Sequence, residues 1–287
     1  MKQTQTRALV LSGGGTAGGA WMAGYISALR GQGVDLGDAD LIIGTSAGAR
    51  TAAQLATGTL SQAVRRYRRG DVPAVELHAT LPEFMAASMR IIAETPDKQQ
   101  AARRVANMAP LGGQLASAAE WGRMVAALLP AGDWPAQRLL ITAVDAETGH
   151  RAAFDADSGA GLLDAVAASG ALPGMFPLVT IDGRRYADGG THSLYNADLA
   201  AGHDVVIVLT PLPFNDYLRA TLDAEVAALG TAAVLVLTAD QESLAAIGSN
   251  MFAAEAVPVA ADAGAAQARR DIAKLRAIWP VRACGAA

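Results

Sequence analysis

The apolar positions of the N-terminal region recur in short blocks, each closed by glycine. Ala8-Leu9-Val10-Leu11 is a four-residue apolar run, too short for a helix, and reads as a buried strand. Glycines from Gly13 to Gly19 follow it, and Trp21 to Arg30 then carries a helical pattern that stops at Gly31. A second run, Leu41-Ile42-Ile43, leads straight into Gly44-Thr45-Ser46-Ala47-Gly48 and a further helix to Thr57. Strand, glycine-rich turn and helix in alternation predict a parallel sheet flanked by helices.

Residues 59–135 lose the strand pattern. They hold amphipathic stretches around Phe84–Ala93 and Ala101–Met108 and are expected to form a helical cap or insertion over the sheet. Residues 138–240 return to strands at Leu139–Val144, Arg151–Phe154, Val205–Leu209 and Val234–Leu237. Asp182-Gly183, between Val179-Thr180-Ile181 and Arg184-Arg185-Tyr186, is a hairpin signal. The stretch 241–278 is helical, most clearly from Ala266 to Ile278. With no fixed repeat and no linker-like stretch, residues 1–287 read as one elaborated domain.

Composition narrows the function classes. Hydrophobic residues make up 52% and charged residues 17%, which excludes global disorder. The 65 alanines and 30 glycines favour close helix–helix and helix–sheet packing. A net charge of −4 with only 5% aromatics leaves neither a basic field nor a stacking platform for nucleic acid. A single cysteine, Cys284, excludes a disulfide framework within the chain. No cluster has metal-ligand spacing, so no metal or other cofactor is expected. The first apolar run is shorter than a secretory signal requires, and no stretch matches a spanning helix. The expectation is a cytoplasmic protein.

The sharpest chemical signal is Gly44-Thr45-Ser46-Ala47-Gly48, a G-x-S-x-G sequence between an apolar strand and a helix. This is the setting of a nucleophile elbow, in which a sharp turn raises the serine hydroxyl above the sheet edge. The competing reading is a tight Gly/Ser turn without chemistry. Gly13-Gly14-Gly15-Thr16-Ala17-Gly18 stands in the same strand-to-helix context and matches G-x-G-x-x-G. One reading is dinucleotide binding, which asks for an acid closing the next strand. Asp35, Asp38 and Asp40 all precede that strand, and the strand runs into Ser46 instead. The other reading is an oxyanion hole of backbone N–H groups, placed by the fold at the same sheet edge as the serine.

A nucleophilic serine needs a base. The four histidines are His78, His150, His192 and His203. A Ser–Asp–His triad in α/β-hydrolase order wants a late histidine, yet none follows His203. His192 and His203 are formal candidates, each more simply read as a turn or surface residue. Asp188, in Tyr186-Ala187-Asp188-Gly189-Gly190, is the better base, because the glycines after it permit close approach of a neighbouring backbone.

Together these residues resemble the patatin-like phospholipase family. Gly13–Gly18 is similar to its glycine-rich oxyanion motif, Gly44–Gly48 to its nucleophile motif, and Asp188-Gly189-Gly190 to the motif carrying the second member of its dyad. Ala168 to Pro177 is similar to the segment ahead of that aspartate, and the resemblance runs over residues 8–210 in order and spacing. It implies a three-layer α/β/α fold, a Ser46–Asp188 dyad without histidine, and an oxyanion hole from Gly13, Gly14 and Gly15. It also implies acyl-ester hydrolysis of a lipid substrate, with transient contact at a membrane surface. The chain departs from the family where Arg or Lys usually precedes the last glycine. Ala17 stands there, and Trp21 replaces a frequent histidine. Backbone donors survive such changes, but a charge that would orient an anionic head group is missing from that position.

Arg65, Arg66, Arg68 and Arg69 form a basic cluster that suits either anionic lipid heads or a solvated helix face. Phe84, Met85, Met89, Ile91 and Ile92 suit either an apolar lid or a buried stripe. Two other function classes are an NAD(P)-binding oxidoreductase using the glycine loop, and a non-catalytic lipid-binding protein of the same fold.

Overall fold

The apolar runs become the strands of one sheet. In the computed structural model, which describes residues 5–73, 81–112, 116–129, 132–213 and 215–281, they are β1 (Arg7–Leu11), β2 (Leu41–Thr45), β3 (Leu139–Asp145), β4 (Arg151–Phe154), β5 (Val179–Ile181), β6 (Arg184–Asp188), β7 (Val205–Thr210) and β8 (Ala233–Thr238). His78 and Cys284 lie outside the described residues. The helices are α1 (Gly15–Arg30), α2 (Ala47–Ala56), α3 (Leu60–Arg68), α4 (Leu81–Ala93), α5 (Lys98–Ala106), α6 (Ala118–Leu128), α7 (Leu162–Ser169), α8 (Asp216–Ala227), α9 (Gln241–Ile247) and α10 (Ala256–Ile278). Helices α3 to α6 fall within the segment expected to be helical.

Strands β3, β2, β1, β7 and β8 lie side by side and parallel. Their side chains alternate between two buried faces, as parallel strands covered on both sides must. Leu9, Leu11, Ile42, Ile141, Ile207 and Leu209 face a core shared with α1, α2, α7 and α10. Ala8, Val10, Ile43, Val206 and Val208 face a second core closed by α8 and the 3₁₀ turn Ala197–Ala200. Val144 and Ala187 pack against α5. The fold is a three-layer α/β/α sandwich around a mainly parallel sheet.

The register of β3 fixes the position of the candidate site. Thr142 pairs with Ala153 of β4 and with Thr45 of β2, and Ala143 pairs with Ala152 of β4 and with Asp188 of β6. Since a strand has two edges, β4 fills one, while β2 and β6 share the other. β2 runs parallel to β3 and ends opposite Thr142; β6 runs antiparallel and ends opposite Ala143. The two strands therefore meet end to end, and the residues at their tips are brought together.

Some elements differ from the sequence expectation. Helix α1 starts at Gly15 rather than Trp21, passing through Gly18, Gly19 and Gly24. Each interior glycine costs a helix about 1 kcal/mol relative to alanine, and contact between α1 and α10 offsets it. A Cβ on Gly24 would lie 2.0 Å from the Ala261 carbonyl oxygen, and one on Gly264 would lie 2.1 Å from that of Trp21. α7 and α8 sit in a region whose texture suggested strands alone, whereas α9 and α10 fall within 241–278, the stretch expected to be helical.

The α1–α10 contact gives a stability test. Gly264→Val should lower the unfolding free energy by about 3 kcal/mol or more, because neither backbone can yield. Gly122→Ala, on α6 with open space around it, should be neutral or stabilise by up to about 1 kcal/mol. Urea unfolding of both variants checks the contrast, and similar losses in the two would contradict it.

Candidate active site

Between β2 and α2 the chain turns within one residue. Ser46 has φ +55° and ψ −118°, a backbone state that costs a non-glycine residue about 1–3 kcal/mol and persists only where the surroundings enforce it. The Ser46 N–H donates to Ser169 Oγ at 2.8 Å, and its carbonyl accepts from the N–H groups of Ala49 and Arg50. The flanking glycines are needed for space. A Cβ on Gly48 would lie 2.0 Å from the Leu11 carbonyl oxygen, and one on Gly44 would lie 2.5 Å from Ala49 Cα. Strand, turn and helix are locked with the hydroxyl projecting from the sheet edge.

Asp188 arrives at the same point from the tip of β6. Its backbone N–H donates to the Ala171 carbonyl at 2.9 Å, and Oδ1 accepts from the Gly190 N–H at 2.7 Å. The chain then crosses the end of β2 through Gly189, where a Cβ would lie 2.4 Å from Thr142 Oγ1. Asp188 is only 2% exposed. Burial pushes its carboxyl up to about 7, against hydrogen bonds from the Ser46 hydroxyl and the Gly190 N–H that favour the charged form.

A buried polar network lies beneath the pair. Asn196, held at φ +54°, donates through Nδ2 to the Ser193 carbonyl at 2.6 Å and is shared between Thr45 Oγ1 and Thr142 Oγ1 at 3.1 and 3.3 Å. The two threonine hydroxyls are 2.8 Å apart. Arg151, in a two-pronged pair with Asp198, also reaches Asn196 Oδ1. This network joins the tip of β2, the middle of β3 and the loop leaving β6. Sequence reasoning missed Thr45, Thr142 and Asn196. Ser169 lay inside the segment similar to the family's, without a role.

The glycine loop lies beside the pair. Gly13, Gly14, Gly15, Ser46 and Asp188 all line one cavity of about 360 Å³. One expectation is narrowed: the Gly13 N–H donates to the Leu194 carbonyl at 3.0 Å and is not free to receive an oxyanion. Among the described residues no acceptor takes the N–H of Gly14 or Gly15. Phe84, Met85, Met89 and Ile92 of α4 form a wall of the same cavity, whereas Ile91 does not line it.

The histidines divide. His192 lines the cavity, but burial and the charge of Arg151 hold its imidazole below the ordinary histidine range. His203 contacts the Ala200 carbonyl and His150 the Gln99 amide, and neither lines the cavity. Ala17 is fully buried in the core, with its N–H on the Met251 carbonyl. A basic side chain there would bury an unpaired charge, so simple restoration of the family pattern is closed to this chain. In the basic cluster, Arg66 pairs with Asp71 and Arg68 with Asp262, which favours the solvated-face reading. Among the described residues no helix is long and apolar enough to cross a membrane, and no group of three or more His, Cys, Asp or Glu is placed to hold a metal ion.

The sequence model of the patatin-like phospholipase family matches residues 9–201, well over half of the chain. No curated protein matches the chain in sequence. Among solved structures it is similar to VipD from Legionella pneumophila, at 17% identity and a TM-score of 0.38, covering 77% of this chain and 53% of that one. It is also similar to the type III effector protein ExoU, at 18% identity and a TM-score of 0.35, covering 92% of this chain and 53% of that one. The chain thus spans about half the length of each of these structures.

The raised pKa of Asp188 has a measurable effect on stability. An aspartate of about 3.9 in the unfolded chain and about 7 in the folded one contributes fully below pH 4. That contribution is lost as pH rises to 7, because folding then buries a charge. Asp188→Asn should therefore melt at a higher temperature than the natural protein at pH 8, with the gap closing by pH 4. Equal gaps at the two pH values would show that the buried carboxyl titrates near its ordinary value.

Proposed function

The chain belongs to the patatin-like phospholipase family, and on that premise we propose that it hydrolyses acyl esters of lipids with Ser46 as nucleophile and Asp188 as its base. The observation that carries this reading is the hydrogen-bonded pair itself. A strained, exposed-edge serine faces a buried carboxylate poised near neutrality, at the floor of a cavity walled by apolar side chains.

An ordinary carboxylate is too weak a base to take a hydroxyl proton efficiently. Removal from water raises Asp188 toward the range where a base is both deprotonated at neutral pH and able to hold a proton. In the proposed first step the Ser46 proton passes to Asp188 as Oγ bonds to the ester carbonyl carbon. The carbonyl oxygen takes up the electron pair and is received by the N–H groups of Gly14 and Gly15. Collapse of this intermediate breaks the ester C–O bond, and Asp188 returns the proton to the departing alkoxide. Water then repeats the sequence on the acyl-serine, releasing the fatty acid and restoring Ser46. The free donors of Gly14 and Gly15 at the start of α1 favour charge on that oxygen. The wall formed by Phe84, Met85, Met89 and Ile92 suits an acyl chain. β2 closes on Thr45, buried in the polar network, and not on an acid of its own, which weighs against the dinucleotide reading.

Ser46→Ala should lose about 10⁴-fold or more in hydrolysis of short p-nitrophenyl esters and should no longer react with a fluorophosphonate probe. Asp188→Asn should be about as severe, since residues acting as a unit fail together. Replacing His192 and His203 together should leave most activity. A dead double-histidine variant beside an active Asp188→Asn would assign the base to histidine. In the natural protein kcat/KM should rise with pH through an apparent pKa of about 7. A profile already flat from pH 5 upward would remove Asp188 as the titrating base.

A further inference from the structure

The Ser46 N–H falls between two ladders. β2 pairs with β3 as far as Thr45, opposite Thr142, and α2 begins at Ala47. Neither sheet nor helix supplies an acceptor for the residue between them, and a peptide donor without one is costly inside a protein. Ser169 Oγ takes this hydrogen at 2.8 Å, from 123 residues further along the chain. Ser169 is the last residue of α7 and is fully buried.

The backbone of the base is held from the same place. β5 pairs with β6 from Arg184 to Tyr186 and stops two residues short of Asp188. Beyond that point the Ala171 carbonyl takes the Asp188 N–H at 2.9 Å. Ser169 and Ala171 are separated by Gly170 alone, and two Cα–Cα steps span at most about 7 Å. One three-residue segment thus grips both members of the pair, through a side-chain oxygen at one end and a main-chain oxygen at the other. The segment is itself fixed. The Gly170 N–H donates to the Val166 carbonyl at 3.2 Å and the Ala171 N–H to the Ala168 carbonyl at 3.1 Å. Trp121 of α6 lies against Gly170, where a Cβ would stand 3.1 Å from its ring, and its Nε1–H donates to the Ala167 carbonyl at 3.0 Å.

We infer that Ser169 is a positioning residue for the nucleophile: its hydroxyl oxygen holds the Ser46 turn at positive φ and sets the span from Ser46 Oγ to the Asp188 carboxyl. The inference rests on the hydrolase reading above. Ser169 does not line the cavity and carries no proton in the reaction; it acts through the Ser46 backbone. Without Ser169 Oγ the Ser46 N–H loses its acceptor, and the strained turn is free to relax toward an ordinary backbone state. A displaced Ser46 hydroxyl loses its line to the base. It also takes from Asp188 a hydrogen bond that favours the charged carboxyl, so the Asp188 pKa rises. The segment Ala168 to Pro177 thereby has a task within the site.

The test follows hydrolysis of p-nitrophenyl butyrate as a function of pH. Ser169→Ala should lower kcat by about 10- to 100-fold with KM within about twofold of the natural protein. It should also move the apparent pKa of kcat/KM upward. Ser169→Thr, which keeps the oxygen, should return both most of the way. Ser169→Cys, of similar size with a weaker acceptor, should fall between, and it carries the comparison if Ser169→Ala does not fold. Leu163→Ala, on the same helix and partly buried against the core, is the control. It should lower the thermal midpoint while leaving kcat within a few fold and the pH profile in place. An unchanged kcat in Ser169→Ala would overturn the inference and leave the hydrolase reading standing. Equal losses in Ser169→Ala and Leu163→Ala, with one pH profile for both, would make Ser169 structural and overturn it too. Natural protein that neither cleaves the ester nor reacts with a fluorophosphonate probe would remove both readings.

Discussion

Two strands share one edge of β3 and meet tip to tip between Thr142 and Ala143. The rest of the site depends on this arrangement. A parallel strand that ends in mid-sheet leaves the remaining backbone groups of its neighbour unpaired, and an antiparallel strand from the opposite direction satisfies them. The residues that end the two strands are then adjacent whatever their separation along the chain. Ser46 and Asp188 are therefore held together by backbone pairing, before any attraction between their side chains is considered.

The same junction keeps water from the carboxylate. Gly189 lets the chain pass over Thr142 at a distance no side chain permits, and Asn196 ties Thr45 and Thr142 to the loop beyond. The Gly190 N–H and the Ser46 hydroxyl offset only part of the cost of burying the charge. Such a carboxyl lowers the stability of the folded chain at neutral pH, a trade that functional positions commonly show.

Much of this could be read in the sequence. The strands, the two glycine-rich turns, the hairpin at Asp182-Gly183 and the segment 59–135 all follow from local patterns, because period and turn chemistry act over a few residues. The site residues were legible as separate motifs. What escaped was set by contacts across the fold. Helix α1 continues back through Gly18 and Gly19, where Pro211 and Arg50 occupy the space a side chain would take, which no propensity encodes. Gly13 looked equivalent to its neighbours, yet the Leu194 carbonyl, nearly two hundred residues away, takes its N–H. Asn196 gave only the weak sign of a residue that tolerates positive φ.

The tip-to-tip junction also gives the site an order of assembly. During synthesis from the N-terminus, β1, β2 and the serine turn emerge early, while β6 follows only after the helices of the segment 59–135 and the β3–β4 hairpin have been made. Until β6 docks, the nascent chain carries the Ser46 hydroxyl without the Asp188 carboxyl beside it and with no tie from Leu194 to the glycine loop. The pairing of Ser46 with Asp188 is thus withheld from an incomplete chain by its own strand order. The candidate site is complete only when most of the sheet is in place.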